Sequence, residues 1–319
     1  ENDLGGDAES GRSAAPPTTR CPAGLPADAV SAGIKSCSIS SPTEALQDGQ
    51  VIALCAVVPL STIEELCFHN LSLNINSWIA IVDSCSKCKS LDKLSLSECK
   101  FKEGQGMATF ARSLGASEMK ALDISTCMLG DEFAETLAGT KLLKCDRLES
   151  LRLVQCNLTC NGITRIAKAF EGVGMMSNLK SLDLGHNRIG DKGACALAAM
   201  LVSESAGGSG SVPLQSLELE GNAVTDVGGL AMCKAAKGAL VLSRLNLSLN
   251  ALTDATMHAM ADALRFNTGT LKEVELSGCR VRGGDDGAVA VIRAATKNNS
   301  LQLLDLRGAP LSGDGVAQL

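Results

Sequence analysis

Apolar and polar residues follow one repeated pattern along most of this chain, Leu-x-x-Leu-x-Leu-x-x-Asn/Cys-x-Leu. The clearest copies are Leu91–Phe101, Leu148–Leu158, Leu179–Ile189, Leu214–Val224, Leu242–Leu252 and Leu271–Val281. With weaker copies included, ten copies start at residues 34, 63, 91, 119, 148, 179, 214, 242, 271 and 301. The Leu-x-Leu centre alternates between inward and outward positions, as a short strand with one buried face does. Each copy therefore predicts one strand.

Between the strands, apolar residues recur every three or four positions, which predicts an amphipathic helix in each unit. The predicted helices include Glu132–Leu143, Lys192–Val202, Val227–Ala236, Ala255–Phe266 and Asp286–Lys297. An aspartate near the start of many units is predicted to be the helix N-cap, because a short acceptor side chain satisfies free N–H groups there. These aspartates are Asp131, Asp191, Asp226, Asp254 and Asp314. The insertion Ser203–Pro213 is predicted to be a flexible loop at the rim.

Repetition of a strand and a helix predicts a solenoid rather than a globular domain. Neighbouring strands lie about 4.7–4.9 Å apart, whereas packed helices need roughly 8–10 Å. The sequence therefore predicts an α/β horseshoe arc over residues 34–319. It has parallel strands on the concave face, helices on the convex face and about ten repeats.

The repeat length, the alternation of Asn and Cys at one turn position, and runs such as Cys156–Cys160 resemble a known family. They are similar to the ribonuclease-inhibitor-like subfamily of leucine-rich repeat proteins. That subfamily includes ribonuclease inhibitors, Ran GTPase-activating proteins, tropomodulin-like proteins and the sensor repeats of NOD-like receptors. The resemblance extends over residues 34–319 and implies the horseshoe fold and a protein-binding role.

Composition narrows the classes of partner. The chain has 319 residues, is 45% hydrophobic and carries a net charge of −6. A mildly acidic chain without a basic tract is not typical of nucleic-acid binding. The longest apolar run, Val51–Leu60, is too short to span a bilayer. We therefore expect protein partners, with neither nucleic acid nor a membrane span.

The chain contains 14 cysteines, and the repeat register gives most of them a packing or turn role. The turn position holds cysteine in some copies and asparagine in others, where the side chain is expected to bond backbone groups. Its predicted members are Cys99, Cys127, Cys156, Cys279, Asn187, Asn222 and Asn250, with Asn70 one residue early. No disulfide-rich end caps are visible, so we expect unpaired thiols in a reducing, intracellular compartment. This is the cytoplasm, or an organelle after removal of a leader.

No pattern of catalytic or ligand-binding residues emerges. The Cys85–Cys88 pair is a lone Cys-x-x-Cys, and a zinc site needs about four ligands. Walker and dinucleotide-binding motifs are missing, and no Ser/His/Asp or Cys/His constellation can be assembled. We therefore expect a non-enzymatic protein with no catalytic, cofactor-binding or metal-binding residues.

One residue of each strand, between its two core leucines, is predicted to face the concave side. From the fourth copy onward, five of these seven residues are acidic. The five candidate protein-binding residues are Asp123, Asp183, Glu218, Glu275 and Asp305. Such a row favours a partner with a basic surface. The alternative is that strand faces in solvent are polar in any case.

The chain offers few aromatic anchors, since it has no tyrosine and only 2% aromatic residues. Tight interfaces usually rely on Trp, Tyr and Arg. This disfavours ribonuclease inhibition, and favours a multi-contact scaffold or adaptor that is a subunit of a larger assembly. The alternative is a regulatory module, either a Ran-type GTPase activator or a fragment of a NOD-like sensor. Residues 1–33 read as a low-complexity arm, and partner subunits are expected to cover it and the solenoid ends.

Overall fold

The computed structural model describes residues 35–40, 48–102, 106–144, 147–171, 178–202, 212–267, 269–279 and 286–309. The predicted N-terminal arm, residues 1–33, lies outside this part of the chain, as do Asp314 and most of the insertion after Val202. No helix among the described residues is long and apolar enough to cross a membrane.

Ten parallel strands form one sheet, in the order in which they occur along the described chain. They are β1 (Ser36–Ser40), β2 (Glu65–His69), β4 (Lys93–Ser97), β6 (Ala121–Ser125), β7 (Ser150–Val154), β8 (Ser181–Asp183), β9 (Ser216–Glu218), β10 (Arg244–Asn246), β11 (Glu273–Glu275) and β12 (Leu303–Asp305). Two further strands, β3 (Ser72–Asn74) and β5 (Lys100–Lys102), pair beside the sheet. The predicted parallel sheet is confirmed.

Helices follow the strands and pack against one another in chain order. In the described residues they are α1 (Asp48–Val57), α2 (Ile75–Lys87), α3 (Met107–Gly115), α4 (Gly130–Ala138), α5 (Cys160–Glu171), α6 (Gly190–Val202), α7 (Asp226–Gly238), α8 (Asp254–Phe266) and α9 (Asp286–Ala295). The architecture is the predicted α/β solenoid, with strands on the narrow inner side and helices on the wide outer side. The prediction for α4 ran too long, because residues 142–144 form a separate 3-10 turn.

The core runs continuously between sheet and helices, from Cys37 to Ala294. The leucines on either side of the outward strand residue are fully buried in the middle of the solenoid. Leu182, Leu184, Leu217, Leu219, Leu245 and Leu247 are each 0% exposed. In the first repeats aromatic side chains pack together with the buried leucines. Phe68, Trp78, Phe101, Phe110 and Phe133 form a run with successive ring centroids 5.6, 5.5, 5.0 and 5.9 Å apart.

A ladder of buried asparagines ties each repeat to its neighbour. The Nδ2 of Asn187 donates to the carbonyl oxygens of Leu153 at 2.7 Å and Leu184 at 2.9 Å. Its Oδ1 accepts from the backbone N–H groups of Cys156 at 3.0 Å and Leu158 at 3.1 Å. One side chain therefore satisfies buried backbone groups in two consecutive repeats, which the solenoid turn would otherwise leave unpaired.

Cysteines take the same place in other repeats. The Cys156 Sγ lies 3.2 Å from the Ile124 carbonyl oxygen, and the Cys127 Sγ lies 3.8 Å from that of Leu96. The backbone role predicted for the Asn/Cys position is confirmed there. Asn70, predicted to lie one residue early, does not take this role, because Leu71 fills the position in its repeat and is buried.

Asn70 belongs instead to a left-handed turn that follows the strands. Its φ is 52°, and the corresponding residues of later repeats have φ between 54° and 81°. They are Glu98, Thr126, Gln155, His186, Gly221, Leu249, Gly278 and Gly308. In nine of the described repeats this turn therefore holds a residue in a conformation that favours glycine or asparagine.

The aspartates predicted as N-caps have a different role. The helices begin before them or at them, and the N-cap residues of α7 and α8 are Thr225 and Thr253. The Asp191 carboxylate accepts from the Thr225 N–H at 2.8 Å and from its hydroxyl at 2.7 Å. Asp226 accepts from the Thr253 N–H in the same way, at 2.9 Å. Asp131, Asp191 and Asp226 therefore each bridge two repeats, because the first helical turn aims the carboxylate at the next unit. Asp254 does not, since its buried Oδ1 has no hydrogen-bond partner in the described part of the chain.

Candidate functional site

The outward residues between the core leucines form one straight row across the open face of the sheet. Strand pairing places them at a single level. The row reads Ser38, Cys67, Ser95, Asp123, Arg152, Asp183, Glu218, Asn246, Glu275 and Asp305. All five predicted acidic residues are in it, and we call those five the acidic row. Their shared register is as expected, while their role in binding stays a prediction.

Arg152 joins the first two members of the acidic row. Its Nε lies 3.0 Å from an Asp183 carboxylate oxygen, and its Nη1 lies 3.9 Å from an Asp123 oxygen. In the sequence, Arg152 is one of the two non-acidic residues among the seven outward positions from the fourth copy onward. In the structure it is a bridge that neutralises part of that charge.

Arg244 holds the next two members. Its Nε lies 2.5 Å from Glu218 and its Nη2 lies 2.6 Å from Glu275, and its Nη1 also donates to Glu273. Sequence reasoning missed Arg244 because it considered one outward residue per strand. Side chains alternate with a period of two, so Arg244 and Asn246 both face outward around buried Leu245. This alternation is the signal in the sequence that could have identified Arg244.

Some residues of the row also accept hydrogen bonds from backbone N–H groups just after their short strands. The Asp183 Oδ1 accepts from the Gly185 N–H at 3.0 Å, and the Asp305 Oδ1 accepts from the Arg307 N–H at 3.0 Å. Asn246 makes the equivalent bond to Ser248 at 2.9 Å. Asn246 shows that this bond needs an acceptor oxygen and not a charge. Part of the polarity of the row is thus structural.

Burial changes the electrostatics of the row. The five side chains are 11–23% exposed. Burial raises the pKa of Asp183, although the Gly185 N–H and Arg152 oppose it. Burial also raises the pKa of Glu275 against the influence of Arg244. By contrast, hydrogen bonds from Arg307 lower the pKa of Asp305.

Negative charge remains in excess on the open face of β7–β12. Its outward positions carry six carboxylates and three guanidiniums. They are Asp183, Glu218, Glu220, Glu273, Glu275 and Asp305 against Arg152, Arg244 and Arg307. Glu220 has no arginine or lysine within ion-pair distance in the described chain. Its nearest polar partners are His186 at 3.6 Å and the Asn246 amide at 3.5 Å.

Comparison with known proteins gives the classification. The model of the family described as Leucine Rich repeat matches residues 176–198 and 210–233. The chain is 27% identical to ribonuclease inhibitor of Mus musculus, over 64% of this chain and 42% of the inhibitor. It is 28% identical to ribonuclease inhibitor of Sus scrofa, over 64% of this chain and 42% of the inhibitor. It is 29% identical to NACHT, LRR and PYD domains-containing protein 13 of Homo sapiens, over 64% of this chain and 18% of that protein.

The chain has the fold of leucine-rich repeat proteins, and it is similar to those of the ribonuclease-inhibitor-like type. The matches span less than half of the length of these relatives. Leucine-rich repeats of this type are protein-interaction modules. The open sheet face is therefore the natural place to look for binding.

The lone Cys-x-x-Cys lies beside a cleft of about 300 Å³ at the helix-to-strand edge of the solenoid. Burial raises the pKa of the Cys85 thiol to about 12. Metal binding and nucleophilic attack both need the thiolate, which this environment disfavours. No group of three His, Cys, Asp or Glu side chains suited to a metal ion occurs within the described ranges.

Proposed function

We propose that this protein is a non-enzymatic interaction scaffold or adaptor, a subunit of a larger assembly, that binds a basic protein surface. The observation that carries the proposal is the excess of carboxylates on the open face of β7–β12. A sheet of parallel strands holds them in fixed register, and the arginine bridges fix their rotamers. Ordered side chains lose little entropy on binding, so this surface is preorganised for a partner.

Electrostatics would act on the partner in two ways. The excess charge steers a basic surface toward the face, with a range of about 8 Å at physiological salt. At contact, a lysine or arginine of the partner pairs with Glu220 and shares the carboxylates that now surround Arg244. Exposed ion pairs contribute little singly, typically about 0–1 kcal/mol, so the interface needs many contacts.

A ribonuclease-inhibitor activity is not favoured for this chain, although two relatives carry that name. No outward position of the described sheet strands holds Phe, Trp or Tyr. Such residues supply most of the affinity in compact, tight interfaces. A broad contact within an assembly fits this surface better.

The test is affinity purification with the charge of the face removed. The variant combines Asp183→Asn, Glu220→Gln and Asp305→Asn, which keep acceptor oxygens where backbone bonds need them. The matched control is Glu132→Gln with Glu135→Gln, two exposed carboxylates on α4. We expect prey proteins with basic surfaces to be lost from the variant and kept by the control. An unchanged set of prey would contradict the proposal.

A second candidate is a regulatory leucine-rich repeat module, favoured by the similarity to human NACHT, LRR and PYD domains-containing protein 13. A scaffold subunit should co-purify with its partners in fixed stoichiometry. A regulatory module, whether of this kind or of the Ran type, should capture a nucleotide-binding protein in one nucleotide state. Purification in the presence of different nucleotides separates the two.

We also propose a reducing compartment and covered solenoid ends. The buried thiols of Cys127 and Cys156 donate to backbone carbonyls, and oxidation would remove those donors. In the last strand of the described sheet, Leu303 faces outward beside Glu273 and is 43% exposed, which favours a protein contact at that end of the open face. Partner subunits at the ends and along residues 1–33 would supply that cover.

A further inference from the structure

The C-terminal ends of three consecutive helices carry exposed apolar side chains. Val202 ends α6, Leu240 and Val241 follow α7, and Phe266 ends α8. Their exposed fractions are 47%, 79%, 41% and 65%, respectively. We call these four residues the rim patch, since they lie at the edge where the chain passes from helix to strand.

The end of α7 lies between Val202 and Phe266. A Cβ on Gly238 would lie 3.9 Å from the Val202 Cγ1, so Val202 lies beside the end of α7. On the other side, the Lys237 Nζ lies 3.7 Å from the centroid of the Phe266 ring. Helix α7 therefore connects Val202 of α6 with Phe266 of α8.

Phe266 does not serve the core. The chain has six phenylalanines, and Phe68, Phe110, Phe133 and Phe170 are each at most 2% exposed. Helix α8 is anchored instead by buried Met257, Met260, Ala261 and Leu264. An exposed aromatic side chain beside exposed aliphatic ones is typical of an interaction site.

The charges around the patch are cationic. Lys234, Lys237, Arg265 and Lys297 are exposed, and the ion pair of this group is Arg265 with Asp262 at 2.8 Å. Lys234 and Lys237 have no carboxylate within ion-pair distance in the described parts of the chain. The rim patch is thus an apolar surface flanked by positive charge, opposite in sign to the open face of β7–β12.

We propose that the rim patch binds a segment of another protein that combines acidic and hydrophobic side chains. Phe266 and Leu240 contact its apolar residues, and Lys234 and Lys237 pair with its carboxylates. The Lys237 ammonium already lies on one face of the ring, so a partner carboxylate there gains a fixed cation. The proposal concerns a second surface and does not rest on the function proposed above.

The neighbouring segment of the chain itself is poorly suited as the occupant. Residues 203–211, which follow Val202, contain one acidic residue, Glu204, and no large apolar side chain. They offer nothing to cover Phe266. A separate acidic segment with leucine or phenylalanine matches the patch in both polarity and charge.

The test uses defined peptides and fluorescence anisotropy with the full chain. The probe is a fluorescein-labelled peptide of alternating Glu and Leu with one Phe. One comparator replaces each Glu with Lys, and another replaces each apolar residue with Ser. Phe266→Ala should weaken probe binding about tenfold, equivalent to about 1.4 kcal/mol. Lys237→Glu should weaken the acidic probe and strengthen the basic comparator.

Controls locate the binding. Met128→Ala removes an apolar side chain that is 74% exposed in another repeat, and it should leave probe binding unchanged. Because Phe266 is exposed, Phe266→Ala should keep the wild-type unfolding transition. Equal binding to wild type and Phe266→Ala, or no binding at all, overturns the proposal. Binding that emerges only after removal of residues 1–33 also overturns it, since the occupant is then this chain's own arm.

Discussion

The asparagine ladder allows a quantitative test at Asn250, which is 3% exposed. Its Nδ2 donates to the carbonyl oxygens of Leu219 and Leu247, both at 2.9 Å. Its Oδ1 accepts from the N–H groups of Asn222 and Val224, both at 3.0 Å. We expect Asn250→Ala to destabilise the protein strongly, because it leaves these buried groups without the side chain that joins them.

The magnitude follows from the two N–H groups that lose their acceptor. A buried group left unsatisfied costs about 1–3 kcal/mol, so the pair predicts about 2–5 kcal/mol after partial relaxation. Asn250→Cys should cost roughly half of that. The chain itself supports this, since the Cys279 Sγ lies 3.6 Å from the Leu247 carbonyl oxygen. Burial raises the pKa of the Cys279 thiol to about 11, and a hydrogen bond from the Asn250 backbone N–H to the sulfur opposes this rise.

The assay is urea unfolding followed by far-UV circular dichroism under reducing conditions. The control is Asn76→Ala, an exposed asparagine of α2 outside the ladder, which should change stability by less than about 0.5 kcal/mol. A solenoid need not unfold in one step, so midpoints and slopes are compared together. The reasoning fails if Asn250→Ala costs less than about 1 kcal/mol. It also fails if alanine and cysteine are equivalent at this position.

Four further predictions address the row, the helix starts, the turns and the thiols. Burial raises the pKa of Asp183, so ionisation of its carboxyl lowers the stability of the protein above that pKa. Asp183→Asn should therefore be at least as stable as wild type at neutral pH and should lose this advantage on acidification, as measured by urea midpoints. Burial opposes a low pKa at Asp226, but bonds from Thr253 and other donors outweigh it and lower the pKa. Its stabilisation is therefore full above the ordinary value of 3.8 and is lost as pH falls through the native pKa, so the deficit of Asp226→Asn should vanish in acid unfolding experiments. Gly221→Ala should cost about 1–2 kcal/mol in thermal unfolding, because φ is +64° there and the new Cβ would lie 2.7 Å from the His186 ring. Thiol titration in denaturant without reductant should find all 14 cysteines, and a lower number would place the protein in an oxidising compartment.

The repeat pattern predicted the fold because burial in a solenoid is periodic. A leucine such as Leu245 is inside for the same reason in every copy, so one register fixes all ten strands. Helix starts were less predictable. Asp226 is of a residue type common at N-caps, and only the position of the neighbouring repeat shows that its carboxylate reaches Thr253. Local sequence does not contain that inter-repeat distance.

The candidate surface was predictable in position but not in charge state. Register alone placed Asp183 and Glu218 at one level, and the strands confirm it. Whether a carboxylate is free depends on side chains from adjacent strands, such as Arg244, which lies 26 residues from Glu218 along the chain. The rim patch was equally hidden, because Phe266 has the sequence spacing of a core helix residue. Phe266 is the last residue of α8, and the C-cap residue Asn267 is the one buried there.

The buried aromatic run gives this protein an optical reporter at one end. Trp78 is the single tryptophan, and the chain has no tyrosine, so tryptophan emission comes from one site in α2. Trp78 is 0% exposed and stacks edge-on against Phe68, so its emission changes when that end opens. Circular dichroism averages over every repeat. A fluorescence transition that lags the dichroism transition would mean that the C-terminal repeats detach first, and coincident transitions would mean that the arc unfolds as one unit. Asn250→Ala should then increase the difference between the two midpoints without moving the midpoint of the tryptophan transition.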